Sequence, residues 1–192
     1  MRKLIFFMHT SLDGFVAGTN GEMDWIHFND DLFDFVATMT EQADTALYGR
    51  VTYEMMQQYW PTAGDKPNAS KHDKEHAAWY NKVSKVVLSK TIHDNGLENT
   101  QVISEQLTEN ILKIKQELGK NILIFGSPSA SHALLSLNLI DEFWIFVNPV
   151  LLGKGIPLFN GVNEKAQLNL IETKSFSCGV IALHYEKVVT KA

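Results

Sequence analysis

Two short segments place glycine beside hydroxyl side chains where an apolar run gives way to a helical pattern. The first, TALYGRVTYEMM, has Gly49, Arg50, Val51 and Thr52 at the junction; the second, ILIFGSPSASHALL, has Gly126, Ser127, Pro128 and Ser129. The first turn of a helix presents N–H groups without intrahelical partners and a partial positive charge, so such junctions bind phosphate readily. Glycine lets a ligand approach the backbone, and Ser or Thr adds a hydroxyl donor. Two junctions in one sheet would hold the two halves of a pyrophosphate, with Arg50 giving a bidentate contact to a further phosphate. The same residues are also ordinary punctuation, because glycines end strands and Ser or Thr cap helices. Neither the P-loop pattern nor G-x-G-x-x-G occurs, so any dinucleotide is held by a different arrangement.

Other residues suggest acid–base or metal chemistry. The loop TSLDGFVAGTNGEMDWIHFNDD carries Gly14, Gly18 and Gly21 and then Trp25. It reads either as a cover over an active site or as a long crossover anchored by its tryptophan. In the helical pattern that follows, Leu32, Phe35, Val36 and Met39 fall on one stripe at ~100° per residue, with Asp31 at its edge. A carboxyl facing apolar surroundings has a raised pKa and is suited to giving a proton. Acids in a first helical turn also simply complement the helix dipole, and Asp30 needs only that explanation. His72-Asp73-Lys74-Glu75-His76 matches H-x-x-E-H, the inverted zinc-protease pattern, but its polar flanks lack a burying stripe. No metal is expected. Gly153-Lys154-Gly155 reads as a turn after Pro149, with Lys154 available to an anion.

Positioning these groups falls to an alternation of strands and helices. Strands are expected at Lys3–His9, Thr45–Tyr48, Lys85–Ser89, Gln101–Ser104, Asn121–Phe125 and Glu142–Asn148. Helical spacing marks Asp30–Thr40, Thr52–Gln58, Thr108–Leu118 and Ser129–Leu137. Near-continuous apolar strands such as NILIF imply a sheet covered on both faces, hence α/β. Leu168–Thr173 and Val180–Val188 have no helix between them and read as an antiparallel pair at one edge, with Gly179 marking a bulge. Pro61 to His76 is polar, holds Gly64, Pro67 and Asn68, and reads as one long surface loop. Phe143, Trp144, Ile145 and Phe146 put apolar residues on both strand faces, which suits a core or a homodimer interface.

The composition sets the bounds. At 192 residues, with 45% hydrophobic and 20% charged side chains, the chain is a single domain spanning 1–192. The net charge of -5 argues against binding a phosphate backbone. One cysteine, Cys178, excludes a disulfide within the chain and any multi-cysteine metal site. The apolar run from Leu4 to Met8 is too short for a signal peptide and no segment is long enough to span a membrane, so a cytoplasmic location is expected.

Taken together, the segments resemble the dihydrofolate reductase-like superfamily, and within it the riboflavin-biosynthesis branch: the C-terminal reductase domain of bifunctional deaminase-reductases and its stand-alone relatives. SLDGFVAG followed by MDW, then LYGRVTYE, ILIFGSPS and LIDEFWIFVNPVLLGKGIPLF, carry the resemblance in family order over residues 4 to 159. It implies a three-layer fold: a mixed, mostly parallel sheet flanked by helices, ending in the antiparallel pair. It also implies NADPH as cofactor and hydride transfer to a C=N or C=O group of a pterin, pyrimidine or related small molecule. By the same resemblance Gly49, Arg50 and Thr52 contact cofactor phosphates, as does the turn of Gly126, Ser127, Pro128 and Ser129. Ser89 and Lys90 lie near the adenosine phosphate, and Ala17 and Gly18 lie beside the nicotinamide. Trp25, Ser11 and Asp13 fall on the substrate side. The substrate acid follows the tryptophan, which points to Asp31, one residue further on than in the common bacterial enzymes. The bifunctional enzymes carry a zinc deaminase upstream, whereas Met1 lies almost on the first strand, so a stand-alone reductase is expected, with a homodimer as its assembly. A protein that binds NADPH without turnover is the alternative.

Overall fold

A computed structural model describes residues 1–92, 96–162 and 165–188. Its centre is an eight-stranded sheet in the order β5-β4-β3-β6-β1-β7-β10-β9. The strands are β1 (Leu4–Ser11), β3 (Ala43–Gly49), β4 (Ser84–Leu88), β5 (Thr100–Ile103), β6 (Asn121–Phe125), β7 (Glu142–Asn148), β9 (Leu168–Ser175) and β10 (Ile181–Lys187). Pairings from β5 to β7 are all parallel, while β10 runs antiparallel to both β7 and β9. A second pair, β2 (Phe15–Ala17) with β8 (Ile156–Pro157), ties the loop after β1 to the loop after β7.

Strand side chains alternate between two cores. Ile5, Phe7, Tyr48, Phe125, Trp144 and Phe146 meet Leu32, Val36, Tyr53 and Tyr80 from α1 (Asp30–Glu41), α2 (Arg50–Ala63) and α3 (Lys71–Lys82). Leu4, Phe6, Ile122, Ile124, Phe143 and Ile145 meet Ile111, Ile114 and Leu134 from α4 (Leu107–Gln116) and α5 (Pro128–Ser136). The three layers are those expected, and Phe143 to Phe146 are core on both faces. The layering follows from chain direction. Parallel crossovers are right-handed, so connections running one way along the sheet put helices on one face and those running back put them on the other. The direction reverses at β3 and β6, neighbours whose following helices α2 and α5 leave to opposite faces.

Two expectations are corrected. Pro61 to His76 is not one loop: Pro61 lies inside α2, and α3 begins at Lys71. A capping box between Ser70 and Asp73 starts α3, and its inner face is His76, Ala77 and Tyr80. Gly179 marks no bulge. It sits at φ +88 in the turn between β9 and β10, donating to the Phe176 carbonyl, while the register shift falls between His184 and Tyr185. The pair β2–β8 was not expected at all. No helix among the described residues is long and apolar enough to cross a membrane.

Candidate active site

The two glycine junctions meet. β3 and β6 pair side by side, and the Ser127 hydroxyl, 2.9 Å from the Gly49 amide, accepts its hydrogen bond while donating to the Phe125 carbonyl at 3.0 Å. A Cβ on Gly49 would lie 3.3 Å from that of Ala130, so the first turn of α5 packs directly on the end of β3. Gly126 and Ser127 both hold left-handed backbone, at φ +55 and +57, which turns the chain sharply out of β6 into Pro128. Glycine takes that conformation freely; Ser127 is held there by its two hydrogen bonds.

Helix starts differ in what they leave exposed. α1 is capped by Asn29, whose side chain accepts from the Leu32 amide at 2.9 Å, and α3 by Ser70; both also carry acids in the first turn. α2 and α5 have neither a side-chain cap bond nor a first-turn acid. Their first N–H groups and positive dipole ends are thus left to a ligand. Both open on one cleft of about 990 Å³ over the carboxyl ends of β3, β4, β5 and β6, at the reversal point where open α/β sheets bind ligands.

Of the residues expected around the cofactor, Gly49, Arg50, Thr52, Ser89, Lys90, Ser127, Pro128 and Ser129 line this cleft, whereas Gly126 does not. Arg50 is half exposed and bonds Glu54 one turn on at 2.9 Å. The Ser89 hydroxyl accepts from the amides of Thr91 and Ile92, which fixes the turn carrying Lys90. Sequence reading missed the opposite wall, Ser104 to Leu107 with His132 and Asn160. The left-handed Gln106 that turns the chain into α4 has no sequence signature comparable to glycine. Ala17 and Gly18 do not line the cleft themselves; β8, paired to β2, brings Ile156 and Pro157 to it instead.

The substrate-side residues lie elsewhere. Ser11 is buried and donates to Asp13, whose carboxylate accepts from the Leu152 and Gly153 amides. These bonds, the serine's foremost, hold the Asp13 carboxyl below its ordinary range. Both residues thereby clip the loop after β1 to the loop after β7. Trp25 is half-buried and donates its indole N–H to the Glu22 carbonyl. Asp31 is exposed on the first turn of α1 and does not face apolar surroundings. Among the described residues no three His, Cys, Asp or Glu side chains gather as metal ligands. Instead His76 is buried against Trp60 and Trp79, and burial lowers its pKa to about 3.

Comparison with known proteins agrees with this architecture. The RibD C-terminal domain family matches residues 2–182. The uncharacterized protein YyaP of Bacillus subtilis is 34% identical over 189 residues, covering 96% of this chain and 94% of that protein. A structure from Shewanella sp. PV-4, provisionally assigned to riboflavin biosynthesis, superposes with a TM-score of 0.74 at 26% identity, covering 97% of this chain and 99% of that one. Dihydrofolate reductase from Enterococcus faecalis shares the fold, with a TM-score of 0.62 at 17% identity over 96% of each chain. Matched across nearly its whole length, and built on the dihydrofolate reductase-like fold, the chain belongs to the RibD C-terminal domain family.

Proposed function

We propose that the protein is an NADPH-dependent reductase acting on a C=N or C=O group of a pterin, pyrimidine or related small molecule. One observation carries the reading: two uncapped, acid-free helix starts, clamped together by Ser127, open on a single cleft. Family membership supports reductase chemistry.

The donor set suits a phosphorylated dinucleotide. Backbone N–H groups at the starts of α2 and α5, with the hydroxyls of Thr52 and Ser129, would hold the pyrophosphate. Arg50, in the first junction, and Lys90, just after the neighbouring β4, would hold the additional phosphate. NADPH supplies the hydride, and the chain supplies binding, orientation and exclusion of water. Asp31 or water supplies the balancing proton; loss of kcat without a change in NADPH affinity in Asp31→Asn would assign it to the carboxyl.

The cofactor assignment is tested by titrating NADPH and NADH into the wild type and Arg50→Ala. The variant is expected to weaken NADPH by about tenfold or more, as for loss of a charged hydrogen bond, and NADH far less. Equal losses for both nucleotides would remove Arg50 from the phosphate site. Turnover is read from NADPH absorbance with a panel of pterins, ribosylaminopyrimidines and small carbonyls. Saturable binding with no oxidation by any of them would reduce the protein to a binding role.

A further inference from the structure

His9, on the internal strand β1, is a polar side chain that the preceding reading leaves unused. It lies two residues beyond the Phe7–Phe125 pair that closes the β1–β6 ladder, so it shares the rim of the sheet with the Gly126–Ser127 turn. The Gly126 amide donates to the Phe7 carbonyl at 3.2 Å, which locks the two strand ends together. The ring lies on the face covered by α1 and α2. It stacks on Phe146 with centroids 5.0 Å apart, and Phe28, in the segment leading into α1, meets it edge-on at 5.5 Å.

The hydrogen bonds around His9 determine its tautomer. Asn148 is fully buried, and its Oδ1 accepts from the His27 amide at 2.9 Å. That bond fixes which end of the Asn148 amide is oxygen. Its NH2 group therefore donates, its two hydrogens shared among the carbonyls of Thr10 at 3.2 Å and Phe146 at 3.1 Å and the facing Nδ1 of His9 at 3.3 Å. An amide NH2 cannot accept a hydrogen bond, so the Nδ1 that faces it carries no proton and the neutral ring holds its hydrogen on Nε2. Burial alone lowers the His9 pKa to about 4, with no charged group contributing, so the ring is neutral at physiological pH. Among the described residues Nε2 has no hydrogen-bond partner, yet it is not sealed from solvent, unlike Nε2 of His76.

We propose that His9 Nε2–H is a specificity-determining donor on the substrate side, selecting planar heterocycles that turn a ring carbonyl, rather than an amino group, toward β1. The inference rests on the reductase reading, since it assumes that substrate meets the rim beside Gly126. A fixed N–H donates to an oxo group and repels an amino group, whose hydrogens would face its own. A site built to hydrogen-bond one partner strongly rejects the other. Phe28, half exposed and stacked at 14° on Phe33, offers a flat apolar surface beside the donor.

The test uses two flat probes, 2,4-dioxopteridine and 2,4-diaminopteridine, titrated into the full chain with and without NADPH. The wild type is expected to favour the dioxo compound by about tenfold or more, and His9→Phe to reduce that ratio to within about twofold with NADPH affinity unchanged. No preference in the wild type, or a preference kept by His9→Phe, overturns the proposal. A second measurement needs no variant: imidazole 15N shifts at neutral pH are expected to report a neutral His9 protonated on Nε2. An Nδ1-protonated or charged ring overturns the proposal. Loss of NADPH binding with the pteridine preference intact would instead overturn the cofactor reading and leave the role of His9 standing.

Discussion

Ser127 joins the two halves of the cleft through a single oxygen. Its hydroxyl takes the Gly49 N–H and gives its own hydrogen to the Phe125 carbonyl, so removing it leaves a half-buried amide with no partner. Ser127→Ala is therefore expected to lower unfolding free energy by about 1–3 kcal/mol in urea titration. It should also weaken NADPH, because the starts of α2 and α5 lose their shared anchor. Ser127→Gly loses the same hydroxyl but relaxes the left-handed backbone at φ +57, a conformation that costs a side chain roughly 1–2 kcal/mol. It should lose less stability than Ser127→Ala while weakening NADPH comparably. Equal stability of both variants to the wild type would show that the Gly49 amide finds another partner.

Among the elements, legibility followed burial. The strands NILIF and EFWIFVN match the expected bounds to the residue, because a strand covered on both faces must be apolar throughout. The two glycine junctions were legible for the same reason, since each breaks such a run. α3 was not. Its buried face is carried by His76 and Tyr80, residues counted as polar, so KHDKEHAAWYNK shows little apolar stripe. Pro61 argued against a helix it merely ends near, three residues before Gly64. The strands β2 and β8, three and two residues long, offer no periodicity to read. Asp31, expected at the edge of the apolar stripe, is exposed because one residue of helix rotation separates the stripe from solvent. The environment of His76 leads to a further prediction. Its Nε2 is buried without a partner among the described residues. An apolar side chain there removes an unpaired polar atom, so His76→Leu is expected to raise unfolding free energy by about 1 kcal/mol. A lower thermal midpoint for this variant would show that an unseen partner, such as water, satisfies the ring.

For the whole molecule, net charge says little about what binds, because the -5 total coexists with a cleft bordered by Arg50, Lys90 and two positive helix ends against one acid, Glu105. The consequence that does belong to the whole molecule is its response to acid. His9 and His76 are kept neutral by burial, with pKa values of about 4 and about 3, whereas unfolded histidine titrates near 6.5. Between pH 6.5 and 4 the unfolded chain therefore binds protons that the folded chain refuses. Stability must rise with pH across that window, and each histidine contributes on the order of 3 kcal/mol to the difference between its ends. The lowered carboxyls act later. Asp13, Glu22 and Asp73 are held below their ordinary range chiefly by side-chain hydrogen bonds, so what they contribute is lost only as pH falls through those lower values. Acid unfolding is thus expected in two stages, histidines first. Urea unfolding of the wild type from pH 7 to 4.5 should show a steady fall in stability, and the double variant His9→Phe, His76→Leu should flatten most of it, together with the part of the slope that His76 carries on down to about pH 3. A wild-type profile already flat over that range would mean that the folded protein admits protons to both rings, and with them water to the two places where the aromatic core now excludes it.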